Sequence, residues 1–190
     1  MKTPLTLLLL CLALASSFAQ IDIIDNFQFE PGFVVSNKGD TLRGFIKYTR
    51  QYELAARVQF KDEKMHESET YHPFGIRSFF VHNEVYESKI YDYAPERADG
   101  FAVFMRRVNT GYCKVYEYWN SDKERGFTQT FLEKPNKPMQ EVAFFSFRQQ
   151  MKQYFSDFPQ LIAKIDRNAF TRRDLDKIVA EYNTWKGRGW

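Results

Sequence analysis

Residues Ser36–Tyr48 read SNKGDTLRGFIKY, and this stretch is the first evidence on the fold class of the chain. Polar residues at Asn37–Asp40 follow the apolar run Phe33–Val35 and precede a β-rich run that begins at Thr41. A glycine-containing polar turn between two such runs predicts a β-hairpin. Gly44 lies inside the second strand, where a glycine indicates either a bulge or close packing against a neighbouring backbone.

The same stretch places two glycines at the spacing of a phosphate-binding loop. Gly39 and Gly44 match the GxxxxG pattern, but Phe45 and Ile46 stand where that loop requires Lys and then Ser or Thr. Without the lysine charge and the hydroxyl that holds magnesium, the pattern cannot bind a nucleotide phosphate by that mechanism. The hairpin is therefore the better interpretation of these residues.

Apolar and polar side chains alternate with period two through residues 20–145. The clearest examples are Arg57–Lys61 and Phe127–Phe131, and Phe101–Val108 and Tyr112–Trp119 are rich in the aromatic and β-branched residues typical of strands. Asn109–Gly111 joins two of these segments as a hairpin loop, and Glu141–Phe145 is the last expected strand. Short strands between frequent turns predict an antiparallel β body, either a curved sheet or a partly open barrel.

The apolar spacing becomes helical in residues 146–190. Apolar side chains recur three and four positions apart at Phe147, Met151, Tyr154, Phe155 and Phe158, which predicts one amphipathic helix. Pro159 suits the first turn of a second helix, and Thr171 with Asp174 resembles the capping box of a third helix, which ends at Gly187. We therefore predict an α+β fold in which three C-terminal helices pack on the sheet within the same compact domain.

Residues 1–19 have the layout of a secretory signal peptide that is cleaved after Ala19. Lys2 provides the basic start, Leu5–Ala15 is apolar apart from one threonine, and Ser17 and Ala19 supply small residues at the cleavage site. The apolar run is too short to span a bilayer, and every other apolar run in the sequence is shorter still. We therefore expect an exported chain with no transmembrane span after cleavage.

The composition argues against several classes of protein. Cleavage removes Lys2 and no other charged residue, so the formal net charge of +3 falls by one, and the remaining basic residues are scattered. Scattered charge is unlike the basic patch of a nucleic-acid-binding protein. Cys113 is the only cysteine after cleavage, which excludes an intramolecular disulfide and a cysteine-based zinc site. The unusual feature is the aromatic content, with 19 Phe, 11 Tyr and 3 Trp.

Two groups of residues resemble catalytic or metal-binding chemistry. The first group consists of His66, Glu67, Glu69 and His72. In a strand the two histidines face one side and the two glutamates face the other, so the four side chains do not converge on a metal. The second is Cys113, which alternates with Val115 and fits a buried apolar position better than a nucleophile. We predict no metal, no cofactor and no catalytic residue.

The aromatic residues leave two interpretations open. Tyr112, Tyr116 and Tyr118 share one face of a predicted strand, and Tyr91 and Tyr93 raise the same question on another. If exposed, these rings form a surface on which a glycan can stack or a partner peptide can bind. In the alternative, which we favour, the sheet and the helices cover both faces of the strand and the rings belong to the core.

The motifs resemble those of a family of uncharacterised exported proteins from Bacteroidetes-type bacteria. The segments that carry the resemblance are Gly39–Tyr48, Tyr71–Ile76, Phe101–Trp119, Phe155–Leu161 and Ile178–Asn183. Members often have a cysteine where this chain has Phe158, which removes thiol chemistry at that position. The resemblance implies a periplasmic or envelope location in a Gram-negative cell and a β-rich body with a helical C-terminus. It implies no activity, cofactor or catalytic residue.

These observations favour a binding or accessory module of the cell envelope without catalytic activity. Its partner on this hypothesis is an envelope protein, a glycan or a small apolar ligand. One alternative is a hydrolase of envelope glycans or peptides, which requires two carboxylates about 5–10 Å apart in an aromatic cleft. Another is a carrier of a small apolar ligand, which requires an enclosed apolar cavity of several hundred Å³, on the order of a typical ligand pocket.

Overall fold

The computed structural model describes residues 28–62, 64, 67–92, 101–120 and 126–188. The predicted signal peptide at residues 1–19, His66 and Tyr93 lie outside these residues. Among the described residues, no helix is long and apolar enough to cross a membrane.

Ten strands form one antiparallel sheet in the part of the chain that the structure describes. They are β1 (Phe29–Ser36), β2 (Thr41–Lys47), β3 (Val58–Asp62), β4 (Glu69–Tyr71), β5 (Ile76–Val81), β6 (Glu84–Tyr91), β7 (Phe101–Arg107), β8 (Lys114–Asn120), β9 (Phe127–Glu133) and β10 (Gln140–Glu141). Their order across the sheet is β10-β9-β8-β7-β6-β5-β1-β2-β3-β4. The chain therefore makes two meanders that join where β1 pairs with β5, and the sheet stays open between β10 and β4. This confirms the prediction of an α+β fold with an unclosed antiparallel sheet.

The hairpin predicted at residues 36–48 is present. Val35 of β1 pairs with Thr41 of β2, and the turn between them is closed by a 2.8 Å hydrogen bond from the Ser36 N–H to the Asp40 carbonyl. Gly39 takes the positive φ of +98° that the turn requires and that a residue with a Cβ rarely adopts. The tight turn therefore sets the register of the first two strands.

Gly44 serves close packing and not a bulge. Its pairing with Gly32 lies in the middle of an unbroken β1–β2 register. A Cβ at Gly44 would lie 2.3 Å from the Lys61 carbonyl oxygen of β3, too close for any side chain. The irregularity in this region falls instead between Val35 and Ser36, where β1 pairs with β5.

Four helices accompany the sheet in the described residues. They are α1 (Gln51–Ala56), α2 (Phe147–Tyr154), α3 (Pro159–Asp166) and α4 (Leu175–Gly187), with a 3₁₀ turn at Arg172–Asp174 before α4. Helix α1, which connects β2 to β3 and buries Leu54 and Ala55, was not predicted from the sequence.

The C-terminal helices follow the predicted order with one correction. The spacing of apolar residues predicted a single helix through Phe158, but α2 ends at Tyr154 and a turn follows. A residue before proline is disfavoured in helical conformation, so the chain must leave the helix before it reaches Pro159. Phe158 is nevertheless buried. The predicted capping box is confirmed, because the Asp174 carboxylate accepts hydrogen bonds from the Thr171 N–H and hydroxyl.

The last predicted strand is also shorter than expected. β10 contains only Gln140 and Glu141, and one further backbone bond joins the Val142 N–H to the Thr130 carbonyl. Phe144 and Phe145, which the alternation assigned to this strand, lie beyond the sheet.

The apolar core of the described residues has three parts, of which the third holds Tyr91, Tyr116 and Phe131 with their neighbours. The first lies on one face of β1–β3 and β5–β7, where Leu54 of α1 packs among the strand residues. The second lies between α2–α4 and the β8–β9 part of the sheet, where Val115 and Leu132 meet the helices. The helical segment thus packs on the sheet, as predicted. Asn183 of α4 fastens the two layers, because its side-chain amide accepts a hydrogen bond from the Cys113 N–H at 2.7 Å and donates one to the Cys113 carbonyl at 2.9 Å.

Candidate binding surface

Three of the tyrosines considered as a surface are buried. Tyr91, Tyr116 and Tyr118 are 3%, 0% and 8% exposed, so the first of the two interpretations, an exposed aromatic strip, is wrong for these rings. The centroids of Tyr91 and Tyr118 lie 4.8 Å apart, and both rings pack in one cluster with Phe131 and Met105 of neighbouring strands. The alternative interpretation, in which these rings belong to the core, describes them correctly.

Tyr112 lies apart from the other tyrosines. The alternation predicted that it shares a face with Tyr116, but β8 begins only at Lys114, so Tyr112 belongs to the preceding loop. Its half-buried ring packs toward the helices, 6.2 Å from Tyr182. It lines a hollow of about 220 Å³ together with Lys114 of β8 and residues of the β9–β10 connection. The sheet therefore does not bring the predicted tyrosines together.

Two glutamates and a tyrosine form a charged network on the sheet. The Tyr116 hydroxyl lies 2.6 Å from a Glu87 oxygen and 3.0 Å from a Glu133 oxygen. Lys89 bonds both oxygens of Glu133 at 2.7 and 2.9 Å, and Arg107 bonds Glu87 at 2.5 Å. This network is the strongest candidate for the carboxylate pair that the hydrolase alternative requires.

The environment of this network argues against acid–base catalysis. Burial alone would raise the pKa of Glu87, but the Tyr116 hydroxyl and the surrounding cations together lower it, so the carboxylate stays ionised. Burial and the two carboxylates raise the pKa of Tyr116, so its phenol stays protonated. Glu133 also lines the hollow beside Tyr112, but the Tyr116 side chain is fully buried and each carboxylate has a cationic partner. These contacts favour a role of the network in stabilising the sheet.

A lysine that the sequence analysis did not single out is buried between sheet and helices. Lys134 is 3% exposed, and its Nζ lies 4.4, 4.6 and 4.1 Å from the ring centroids of Tyr154, Phe155 and Tyr182. The ammonium donates a hydrogen bond to the Tyr154 carbonyl at 2.6 Å. Burial lowers the pKa of Lys134 to about 8, although Asp157 acts in the opposite direction. Lysine occurs here in a polar, proline-rich segment, and nothing local in the sequence indicates burial.

Cys113 is buried beside this lysine. Burial raises the pKa of its thiol to about 12, so the sulfur is protonated at neutral pH and is not a nucleophile. This agrees with the interpretation of Cys113 as a core residue.

The described histidines show no metal site. Among the described residues no group of three or more His, Cys, Asp or Glu side chains converges in a way that could hold a metal ion, and His66 lies outside this part of the chain. His82 stacks on Tyr48 at a centroid distance of 4.6 Å, and its Nδ1 lies 3.0 Å from a Glu30 oxygen.

Two adjacent, strongly exposed aromatic side chains lie between β10 and α2. Phe144 is 66% exposed and Phe145 is 98% exposed, and their ring centroids are 5.0 Å apart. Gln150 of α2 holds the segment before them, because its side chain accepts a hydrogen bond from the Ala143 N–H at 2.8 Å and donates one to the Glu141 carbonyl at 2.5 Å. We call the pair Phe144 and Phe145 the aromatic ridge.

A basic hollow lies on each side of the aromatic ridge. One hollow, of about 600 Å³, is lined by Phe144 together with Arg172 and Arg173 of the 3₁₀ turn. The other, of about 520 Å³, is lined by Phe145 together with Arg148 and Lys152 of α2. The remaining described lining residues are Thr130, Val142, Ser146, Gln149, Thr171 and Leu175. None of the lining residues is acidic, so the ridge is flanked by four cations.

Some of these cations have partners outside the hollows. Lys152 forms a 2.8 Å ion pair with Asp166, and Arg148 bonds the Asn168 side chain. The Arg172 guanidinium lies 4.8 Å from the centroid of Phe144, at the distance of a cation–π contact. Arg172 therefore orders one ring of the ridge and keeps a positive charge beside it.

Sequence reasoning missed the aromatic ridge because it assigned both rings to a strand. The alternation itself held a signal, since two consecutive phenylalanines on one strand must face opposite sides of the sheet. Arg172 and Arg173 lie between Thr171 and Asp174, and this segment was interpreted only as a capping box. The hollows are open and cationic, which does not match the enclosed apolar cavity that a carrier requires.

Comparisons with protein families, with curated proteins and with solved structures found no match to this chain. The resemblance to exported Bacteroidetes-type proteins therefore stays a prediction. The class that fold and surface define is an α+β protein with an open antiparallel sheet, three helices packed on it and an exposed aromatic ridge between basic hollows.

Proposed function

We propose that this protein is an exported binding or accessory module of the cell envelope that acts through the aromatic ridge. The observation that carries the proposal is the exposure of Phe144 and Phe145, at 66% and 98%, between two hollows that contribute four cations. Adjacent exposed phenylalanines are unfavourable in water, and burying one such side chain on a partner contributes about 1.5–3 kcal/mol. Exposed apolar groups of this kind are typical of interaction sites.

Two further lines support this function. The layout of residues 1–19 and the family resemblance favour export to the periplasm or cell envelope. The candidate catalytic groups, Cys113 and the Glu87–Glu133 pair, are buried or held in ion pairs, which favours binding over catalysis.

In-cell photocrosslinking tests the proposal. A photoreactive benzoylphenylalanine replaces Phe145 in one protein and Phe74 in a matched control, since Phe74 is also a phenylalanine with 71% exposure but lies before β5. We expect covalent adducts in the envelope fraction from position 145 and few from position 74. Equal adducts from both positions, or recovery of the protein in the cytosol, would contradict the proposal.

A further inference from the structure

The aromatic ridge protrudes, which restricts the kind of partner that it fits. Phe145 keeps 98% of its exposure, so its ring is not seated in a recess of this protein. A protein that recognises a peptide usually offers a groove that receives the side chains of that peptide. A protruding ring instead has to enter an apolar medium on the partner, and the interface of a lipid bilayer supplies such a medium without a preformed pocket.

The positive charges beside the ridge indicate that the lipid surface it fits is negatively charged. Arg172 and Arg173 lie on one side of the ridge and Arg148 and Lys152 on the other, with no acidic residue among the described lining of either hollow. Asp166 pairs with Lys152 and offsets its charge, and Asp174 accepts bonds from Thr171 and Lys177, so the arginines at 148, 172 and 173 supply the positive charge beside the ridge. Basic residues beside inserted aromatic rings are the arrangement by which peripheral proteins hold anionic headgroups.

From this geometry we infer that the aromatic ridge docks on an anionic lipid surface. Phe145 enters the boundary between headgroups and acyl chains, and Arg148 and Arg172 contact headgroup phosphates. The inference rests on the proposed function, because it names the partner of the same surface. Arginine suits this position, since its planar guanidinium donates two parallel hydrogen bonds to a phosphate.

Vesicle co-sedimentation tests the inference with the processed chain, purified from cells that export it. The probes are vesicles of phosphatidylcholine alone and vesicles in which part of it is replaced by phosphatidylglycerol. We expect binding to the anionic vesicles, weak binding to the neutral ones, and loss of binding as salt is raised. Equal binding to both vesicles, or binding to neither, overturns the inference.

Matched variants separate the ridge from the rest of the surface. Phe145→Ser is expected to weaken binding to anionic vesicles at least about tenfold, while Phe74→Ser leaves it unchanged. Arg172→Gln is expected to weaken binding about fivefold, while Lys38→Gln, which removes an exposed cation in the β1–β2 turn, has little effect. Thermal melting of each variant confirms that it is folded, which is expected because Phe145 has almost no intramolecular contact area.

The two proposals fail in different ways. If the anionic vesicles do not bind but position 145 crosslinks to an envelope protein, the partner is a protein and the lipid inference falls while the proposed function stands. If position 145 gives no adducts to protein and the vesicles do not bind, both fall. If Phe145→Ser binds the anionic vesicles as the parent does, the ridge is not the docking element and the inference falls.

Discussion

Replacing Lys134 by Met should change the pH dependence of stability more than stability at neutral pH. In the folded protein the ammonium is 3% exposed, and burial lowers its pKa from 10.5 to about 8. Because the folded pKa lies below the unfolded one, the unfolded chain binds more protons between these values, and stability rises with pH through this window. Each pKa unit corresponds to about 1.4 kcal/mol, so burying the charged form costs about 3 kcal/mol at pH 7.

The substitution removes both this cost and the contacts that offset it. Met keeps an apolar chain among the rings of Tyr154, Phe155 and Tyr182, but it cannot donate to the Tyr154 carbonyl, which loses a 2.6 Å hydrogen bond. An unpaired buried acceptor costs about 1–3 kcal/mol, and cation–π contacts of about 0.5–2 kcal/mol are also lost. At pH 7 the two effects are of similar size, so the variant and the parent should differ little in free energy of unfolding.

Urea unfolding of both proteins between pH 7 and pH 10 measures the effect. Relative to Lys134→Met, the parent should gain about 2–3 kcal/mol over this range. Lys38→Met, which removes a lysine from the exposed β1–β2 turn, should keep a constant difference from the parent. A constant difference for Lys134→Met as well would refute the reasoning, because it would mean that the folded state does not lower the pKa of this lysine.

Further predictions concern the hairpin and the attachment of α4. Gly44→Ala should destabilise the protein by about 2–3 kcal/mol, because the new Cβ would lie 2.3 Å from the Lys61 carbonyl oxygen. Gly39→Ala should cost only about 1–2 kcal/mol, since no atom lies within 4 Å of the new Cβ and the strain comes from the φ of +98° alone. Equal losses in chemical denaturation would contradict this account of the two glycines. Asn183→Ala should cost about 1–2 kcal/mol, because the Cys113 N–H loses its partner while the Cys113 carbonyl keeps the bond from the Asn109 amide. A loss below about 0.5 kcal/mol would mean that water replaces the amide at this position.

Local patterns were sufficient for much of the fold. The first hairpin was predictable because a polar turn with Gly39 between two apolar runs has few alternative conformations. The start of α3 at Pro159 and the Thr171–Asp174 cap were predictable for the same reason, since each depends on residues within one turn. The length of α2 was not predictable in this way. The apolar spacing continues through Phe158, but Pro159 disfavours helical conformation in the residue before it, and α2 ends at Tyr154.

The candidate site was harder to predict, because exposure depends on what packs against a segment. Tyr116 and Phe145 are both aromatic residues in β-rich sequence, yet one is fully buried and the other is 98% exposed. Tyr116 is buried because it packs in a cluster with Met105 and Phe131 of other strands and Ala55 of α1, whereas β10 ends at Glu141 and leaves Phe145 beyond the sheet. Neither the packing around Tyr116 nor the end of β10 is indicated by the residues that adjoin Tyr116 or Phe145 in the sequence.

The sequence by itself determined the local elements of this protein and their order along the chain. Period-two and helical spacing, glycine and proline positions and the capping pair act over a few residues, so they specify an antiparallel body followed by helices. Only the tertiary structure decided that Lys134 lies in an aromatic cage and that Phe145 faces solvent. Both depend on contacts between segments far apart in sequence, and such contacts follow from how the helices pack on the sheet as a whole.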